Sequence, residues 1–287
     1  MIRFGLCCIF RNEPIRFKRT TAARLGALPR LRRLRLLTEV CLHNARELYR
    51  ALEYCAGHGI GCFRINSHIL PLKTHPEVGY RIKDLPDHKV LIDTLQQCGH
   101  FCKTHKLRTT FHPDQFILLS SPSQEIIRRS VADLLSHAEI AALVGADVIN
   151  IHGGGIYGDK KTTLKRLLRE IKRLPMAVQS RLTLENDDRS YTPRDLLPLC
   201  KAAGVPLVYD VHHHRCLPDG MSVEAATKAA IATWNREPVF HISSPLHGWR
   251  SADPRLHHDY INPVDFPDCW KGLTVTIEVE AKAKEQA

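Results

Sequence analysis

The chain of 287 residues is 44% hydrophobic and 25% charged, a globular composition that leaves room for one large core or two modest ones. Its 41 Lys and Arg against 30 Asp and Glu leave a formal charge of +11, which favours polyanionic partners, nucleic acid above all, over a small neutral substrate. No stretch approaches the apolar length that spans a bilayer, and the ten Cys contain no CxxC, which argues against a membrane partner, a disulfide framework and a thiolate zinc site.

The cysteines read as reduced and mostly buried, as in a cytoplasmic protein, which in a prokaryote would be nucleoid-associated through DNA. The Ile2 to Phe10 run is apolar, but Arg3 interrupts it and no small-residue cleavage site follows, so it reads as a strand and not as a signal peptide.

From there, short apolar runs alternate with longer amphipathic stretches. Strands are predicted at Arg3 to Cys8, Gly61 to Ile65, Arg108 to Phe111, Asp147 to Ile151, Arg181 to Leu184, Leu207 to Tyr209, Val239 to Ile242 and Leu273 to Val279. Helices are predicted at Leu34 to Ala56, Asp87 to His105, Ser123 to Val144, Lys160 to Ala177, Pro193 to Ala203 and Val223 to Trp234, several with Ser, Thr or Pro at the start and Gly after the end. Eight strands separated by crossovers, with no linker, predict one α/β domain over residues 1–287, a parallel (β/α)8 TIM barrel; an open doubly wound sheet is the alternative. The Arg16 to Arg35 and Ser243 to Asp268 segments break the rhythm and read as extended loops.

The polar residues that close the strands carry the chemistry. His112, His152, Glu185, Asp210 and Glu280 each follow the last apolar residue of a different predicted strand, and His241 follows Phe240 within another. A barrel gathers the carboxyl ends of its strands into one ring, so these six would converge. His213, in the Tyr209 to His214 stretch, and the pair His257 and His258 add loop donors.

Taken singly, a strand-end His is more often a hydrogen-bonded rim residue than a ligand. Six together are better explained by bound cations, because buried carboxylates need a neutralising charge. Seven or eight imidazole and carboxylate donors without thiolate suit zinc, manganese or iron and exceed the needs of one ion, so two or three divalent ions are expected, with manganese the favoured metal and zinc next. Such clusters suit phosphodiester hydrolysis, which agrees with the basic surface.

Gly5-Leu6-Cys7-Cys8, Arg64-Ile65-Asn66-Ser67-His68, Phe111-His112-Pro113-Asp114-Gln115-Phe116, Asn150-Ile151-His152-Gly153-Gly154, Leu184-Glu185-Asn186-Asp187-Asp188, Asp210-Val211-His212-His213, His241-Ile242-Ser243-Ser244, His257-His258-Asp259-Tyr260-Ile261 and Glu280-Ala281-Lys282-Ala283-Lys284 together resemble the UV damage endonuclease family. The resemblance runs the length of the chain and implies a barrel related to endonuclease IV. The implied activity is a nick immediately 5′ to UV photoproducts and, in some members, abasic sites, leaving a 3′-hydroxyl and a 5′-phosphate.

It further implies that Glu185 bridges two ions, that His112 and His152 complete one shell, that Asp210, His241 and Glu280 hold the second ion, and that His213 and His257 hold a third. Gln115 and Phe116 match the pair that meets the lesion, where an aromatic wedge and an amide suit extruded nucleotides. His68, just past the second strand, is expected at the rim, against phosphate or behind a ligand, as a catalytic partner to Glu185.

Two positions depart from the family. Val239 stands where a lysine, sometimes carboxylated, precedes the strand-seven His by two residues, so the third ion is expected to bind more weakly. Leu6 and Phe10 stand where the family often offers Tyr and Asn to the damaged strand. The expected partner is damaged double-stranded DNA, met by a monomer without a nucleotide cofactor. The alternatives are an abasic-site endonuclease of the endonuclease IV type, a metal-dependent sugar isomerase or epimerase, and a non-cutting damage sensor. The +11 charge argues against the sugar enzyme, and the ligand set, present apart from the lysine, against the sensor.

Overall fold

A computed structural model describes residues 1–287. Eight parallel strands close on themselves in chain order: β1 (Ile2–Cys7), β2 (Cys62–Ile65), β3 (Arg108–Phe111), β4 (Val148–His152), β5 (Leu182–Glu185), β6 (Leu207–Asp210), β7 (Val239–Ile242) and β8 (Val275–Val279). Pairing of β1 with β8 completes the ring, so the barrel and not the open sheet is the fold. Every residue of β2, β5, β6 and β7 is buried, as expected for parallel strands covered by helices outside and side chains inside. No helix is long and apolar enough to cross a membrane.

The helices are α1 (Ala22–Gly26), α2 (Arg30–Gly57), α3 (His88–Thr104), α4 (Gln124–Val144), α5 (Lys160–Arg173), α6 (Met176–Gln179), α7 (Pro193–Ala203), α8 (Val211–Cys216) and α9 (Val223–Ile231). Three departures from expectation have local causes. The helix predicted over Lys160 to Ala177 is two helices, because Pro175 forces Leu174 into extended backbone. The Arg16 to Arg35 segment is not all loop: α1 lies within it and α2 starts at Arg30, where apolar periodicity has not yet begun. His212 to His214 lie on α8, which is capped by the Asp210 side chain accepting from the His213 amide at 2.8 Å.

Strand alternation decides what fills the barrel. Val148, Val208 and Val239 pack together as an apolar floor. One pleat higher lie Asn150, Thr183 and Glu278, and at the carboxyl ends His152, Glu185, Asp210 and His241. The register sets His152 beside Glu185, Asp210 beside His241, and His241 beside Glu278.

Candidate metal centre

Glu185 ends β5 and is fully buried. Its two carboxylate oxygens face different groups. Oε2 lies 2.8 Å from His112 Nε2, accepts from Asn150 Nδ2 and looks toward His152 Nε2 at 4.0 Å. Oε1 lies 3.1 Å from His241 Nδ1 and 3.3 Å from His213 Nδ1. Two clusters therefore share one residue: His112, His152 and Glu185, and Glu185, Asp210 and His241, each with ligand atoms within 4.8 Å of one another.

The second cluster continues to β8. His241 Nδ1 is 3.5 Å from Glu280 Oε1 and 4.0 Å from Asp210 Oδ2, while its Nε2 is 3.0 Å from Glu278 Oε2. Asp210 spends one oxygen on the α8 cap and leaves Oδ2 buried without a hydrogen-bond partner; His152 Nδ1 is likewise buried and unpartnered. Such atoms are costly in a protein interior unless a ligand satisfies them. The donor set of imidazoles and carboxylates fits divalent cations, so these residues could bind metal.

Electrostatics agree. Burial would raise the Glu185 carboxyl, but the imidazoles of His241, His152 and His112 outweigh it and hold the group well below the usual carboxylate range. Burial lowers His152; burial also acts to lower His241, but the charge and hydrogen bonds of Glu185 and Glu278 together raise it to about 10. In the absence of a cation the protonated His241 offsets part of the carboxylate charge, and a divalent cation bound there would displace that proton.

Beyond these clusters, His213 and His257 stand with ring centroids 6.3 Å apart above Glu280, whose Oε2 is 3.8 Å from His257 Nδ1. Val239, buried in the floor, offers no donor to them. His258 points its Nδ1 to the Tyr260 backbone and joins neither cluster.

Two side chains not expected at the centre support it. Arg64 on β2 meets Glu278 and places Nη1 2.6 Å from Glu280 Oε1. Glu278 also accepts from Thr110. Burial pushes the Glu278 carboxyl up, yet Arg64, His241 and Thr110 together bring it down to about 2. Its position was legible in principle, since residues two apart on a strand share a face and Glu280 was already assigned to the ring. Asn150 and Thr183 extend the same pattern: Thr183 donates to Asn150 at 3.0 Å, which aims the amide at Glu185.

The rim divides. Gln115 and Phe116 project into solvent on the loop after β3, with Phe116 74% exposed; Gln115 lines a cleft of about 590 Å³ with His152, Asp187 and His213. His68 sits on the same rim, its Nε2 2.8 Å from Asp114 Oδ2. Leu6 and Phe10 do not reach the rim surface. Leu6 faces outward from β1, opposite to inward-facing Gly5, and both Leu6 and Phe10 are only 5% exposed. Phe10 stacks on Phe63 and meets Tyr54 edge-on. Both are core residues, because apolar side chains there gain more from packing than from solvent.

The family model of UV-endonuclease UvdE matches residues 2–287. The UV DNA damage endonuclease of Bacillus velezensis is 36% identical, over 100% of this chain and 92% of its own length. The crystal structure of SacUVDE superposes with a TM-score of 0.89 at 28% identity, covering 100% of this chain and 95% of that one. Endonuclease IV from Thermus thermophilus shares the fold, with a TM-score of 0.60 and 17% identity over 99% and 94% of the two chains. With its barrel, its ring of strand-end donors and this match along its whole length, the chain belongs to the UV-endonuclease UvdE family.

Proposed function

We propose that the protein is a metal-dependent DNA repair endonuclease that nicks the backbone 5′ to UV photoproducts and leaves a 3′-hydroxyl and a 5′-phosphate. The observation that carries the reading is Glu185: a fully buried carboxylate whose two oxygens face two separate sets of donors. That is the arrangement a bridging ligand requires, and paired cations are suited to in-line displacement at phosphorus.

In this reading His112 and His152 would hold one ion with Glu185, and Asp210, His241 and Glu280 would hold the second. His213 and His257 would hold a third, more weakly for want of a donor at Val239. Divalent ions in these positions, manganese first, would acidify the attacking water and offset charge on the departing oxygen.

The chain's own residues do the rest. Glu278 and Arg64 fix the His241 ring and the Glu280 carboxylate from below, so that the donors are oriented before substrate arrives. The apolar floor of Val148, Val208 and Val239 keeps water out from beneath. Phe116 stands free to fill a vacated base stack beside Gln115, which can meet orphaned bases with its amide.

The test is a nicking assay with manganese on end-labelled duplexes carrying one cyclobutane dimer, one abasic analogue or no lesion. A cut 5′ to the dimer is expected. Cutting at the abasic analogue alone would replace this reading by an abasic-site endonuclease, and no cutting with any divalent metal would overturn both.

A further inference from the structure

We infer that the segment from Lys18 to Arg35 is a docking surface for the phosphate backbone of duplex DNA, outside the metal centre and separate from the lesion-facing loop. The inference rests on the proposed nuclease reading and extends its footprint on the substrate.

The charge of this chain is not spread evenly. Residues 14–38 contain eight Arg and Lys and no Asp or Glu, so this stretch supplies +8 of the formal +11. Lys18, Arg19, Arg24, Arg30, Arg32 and Arg35 are exposed, and none of them takes part in an ion pair. Elsewhere many exposed bases are matched within their own turn: Arg128 and Arg129 to Glu125, Lys228 to Glu224, and Lys271 to Asp268. An acid-free cluster repels itself in the free protein, and an anionic partner relieves that repulsion.

Its position favours the same substrate as the metal centre. The segment follows the carboxyl end of β1, the end of the barrel that carries the ligands. Asn44 of α2 fastens it there. The Asn44 Oδ1 accepts from the Lys18 amide at 2.7 Å, and its Nδ2 donates to the carbonyls of Lys18 and Ile69, each at 3.0 Å. Ile69 adjoins His68, which contacts Asp114 in the loop that presents Gln115 and Phe116. The basic segment is thus joined by a continuous chain of contacts to the lesion-facing rim. Arg16 is excluded, since its guanidinium is taken up by the carbonyls of Phe10, Ile15 and Arg11.

The experiment compares the wild type with an Arg24→Gln/Arg30→Gln/Arg32→Gln variant. Its control is an Arg128→Gln/Lys228→Gln/Lys271→Gln variant of equal net charge. Affinity for a lesion duplex is measured against salt by anisotropy with calcium in place of manganese, and nicking by single turnover at saturating enzyme. The first variant is expected to bind with a salt slope shallower by about 2 to 3, at about 0.9 for each phosphate no longer neutralised, with an unchanged saturated nicking rate. The control should keep the wild-type slope.

Trimming the duplex on one side of the lesion should weaken the wild type and leave the first variant unaffected. Equal slopes for wild type and first variant, or equal losses in the two variants, would overturn the docking surface while wild-type nicking still stood. A wild type that neither binds nor nicks would overturn the nuclease reading itself.

Discussion

The buried ring around Glu185 and the rim above it are built by different rules. In the ring, strand register brings His152 beside Glu185 and Asp210 beside His241, so sequence position and spatial position are tightly linked. On the rim, loops of unrelated length place each side chain separately: Phe116 is 74% exposed, whereas Phe10, also beyond a strand end, is 5% exposed. Chemistry in such a barrel is tied to the strands and selectivity to the loops, and the two can change independently.

Substitutions can separate ring from rim. The largest effect is expected for Glu185→Ala, which removes the carboxylate common to both donor clusters: nicking should fall on the order of a thousandfold or more, while salt-dependent DNA binding persists. Near-normal nicking would dismiss the bridging role. Next comes Glu278→Gln, which retains the shape of the side chain but weakens its hold on His241 and Arg64. A loss of about 10- to 100-fold in metal affinity is expected, measured by titration of the metal-stripped protein, and an unchanged affinity would show that Glu278 only packs.

On the rim, Phe116→Ala should reduce the preference for lesion over intact duplex by about tenfold, the scale of one lost base stack. The saturated nicking rate should hold; equal loss on both duplexes would remove Phe116 from lesion recognition. Metal analysis after dialysis should find two ions retained and a third, beside His213 and His257, depleted. Three equally retained ions would show that Val239 costs the site nothing.

The smallest effect on activity is expected for Phe10→Ala. Its buried stacking on Phe63 predicts a stability loss of about 3 kcal/mol by denaturant unfolding, with lesion preference unchanged. A shift in preference without a loss of stability would put Phe10 back on the DNA-facing side.

Much of the fold was legible because a parallel barrel repeats one local pattern. Most of the buried strands are largely apolar runs, and β1 to β6 are each followed by an α-helix before the next strand. The misjudged boundaries lie where local signals compete. Pro175 divides a helix whose apolar period runs on, and α2 starts among arginines that carry no apolar period. The strand-end donors stand out in the sequence because each follows an apolar run directly.

What sequence alone determined, then, is the alternation of elements, the family resemblance and the candidates for the ring, all of which reside in local order along the chain. The tertiary structure decided which face each side chain took. It turned Leu6 and Phe10 into core, left Phe116 in solvent, paired His68 with Asp114, and set Glu278 and Arg64 beneath His241. Those outcomes depend on neighbours distant in sequence, and the burial and charge balance among them exists only once the barrel has closed. For Glu185 the two levels meet: its place at a strand end was local, but the separate surroundings of its two oxygens come from β3, β4, β7 and α8 together.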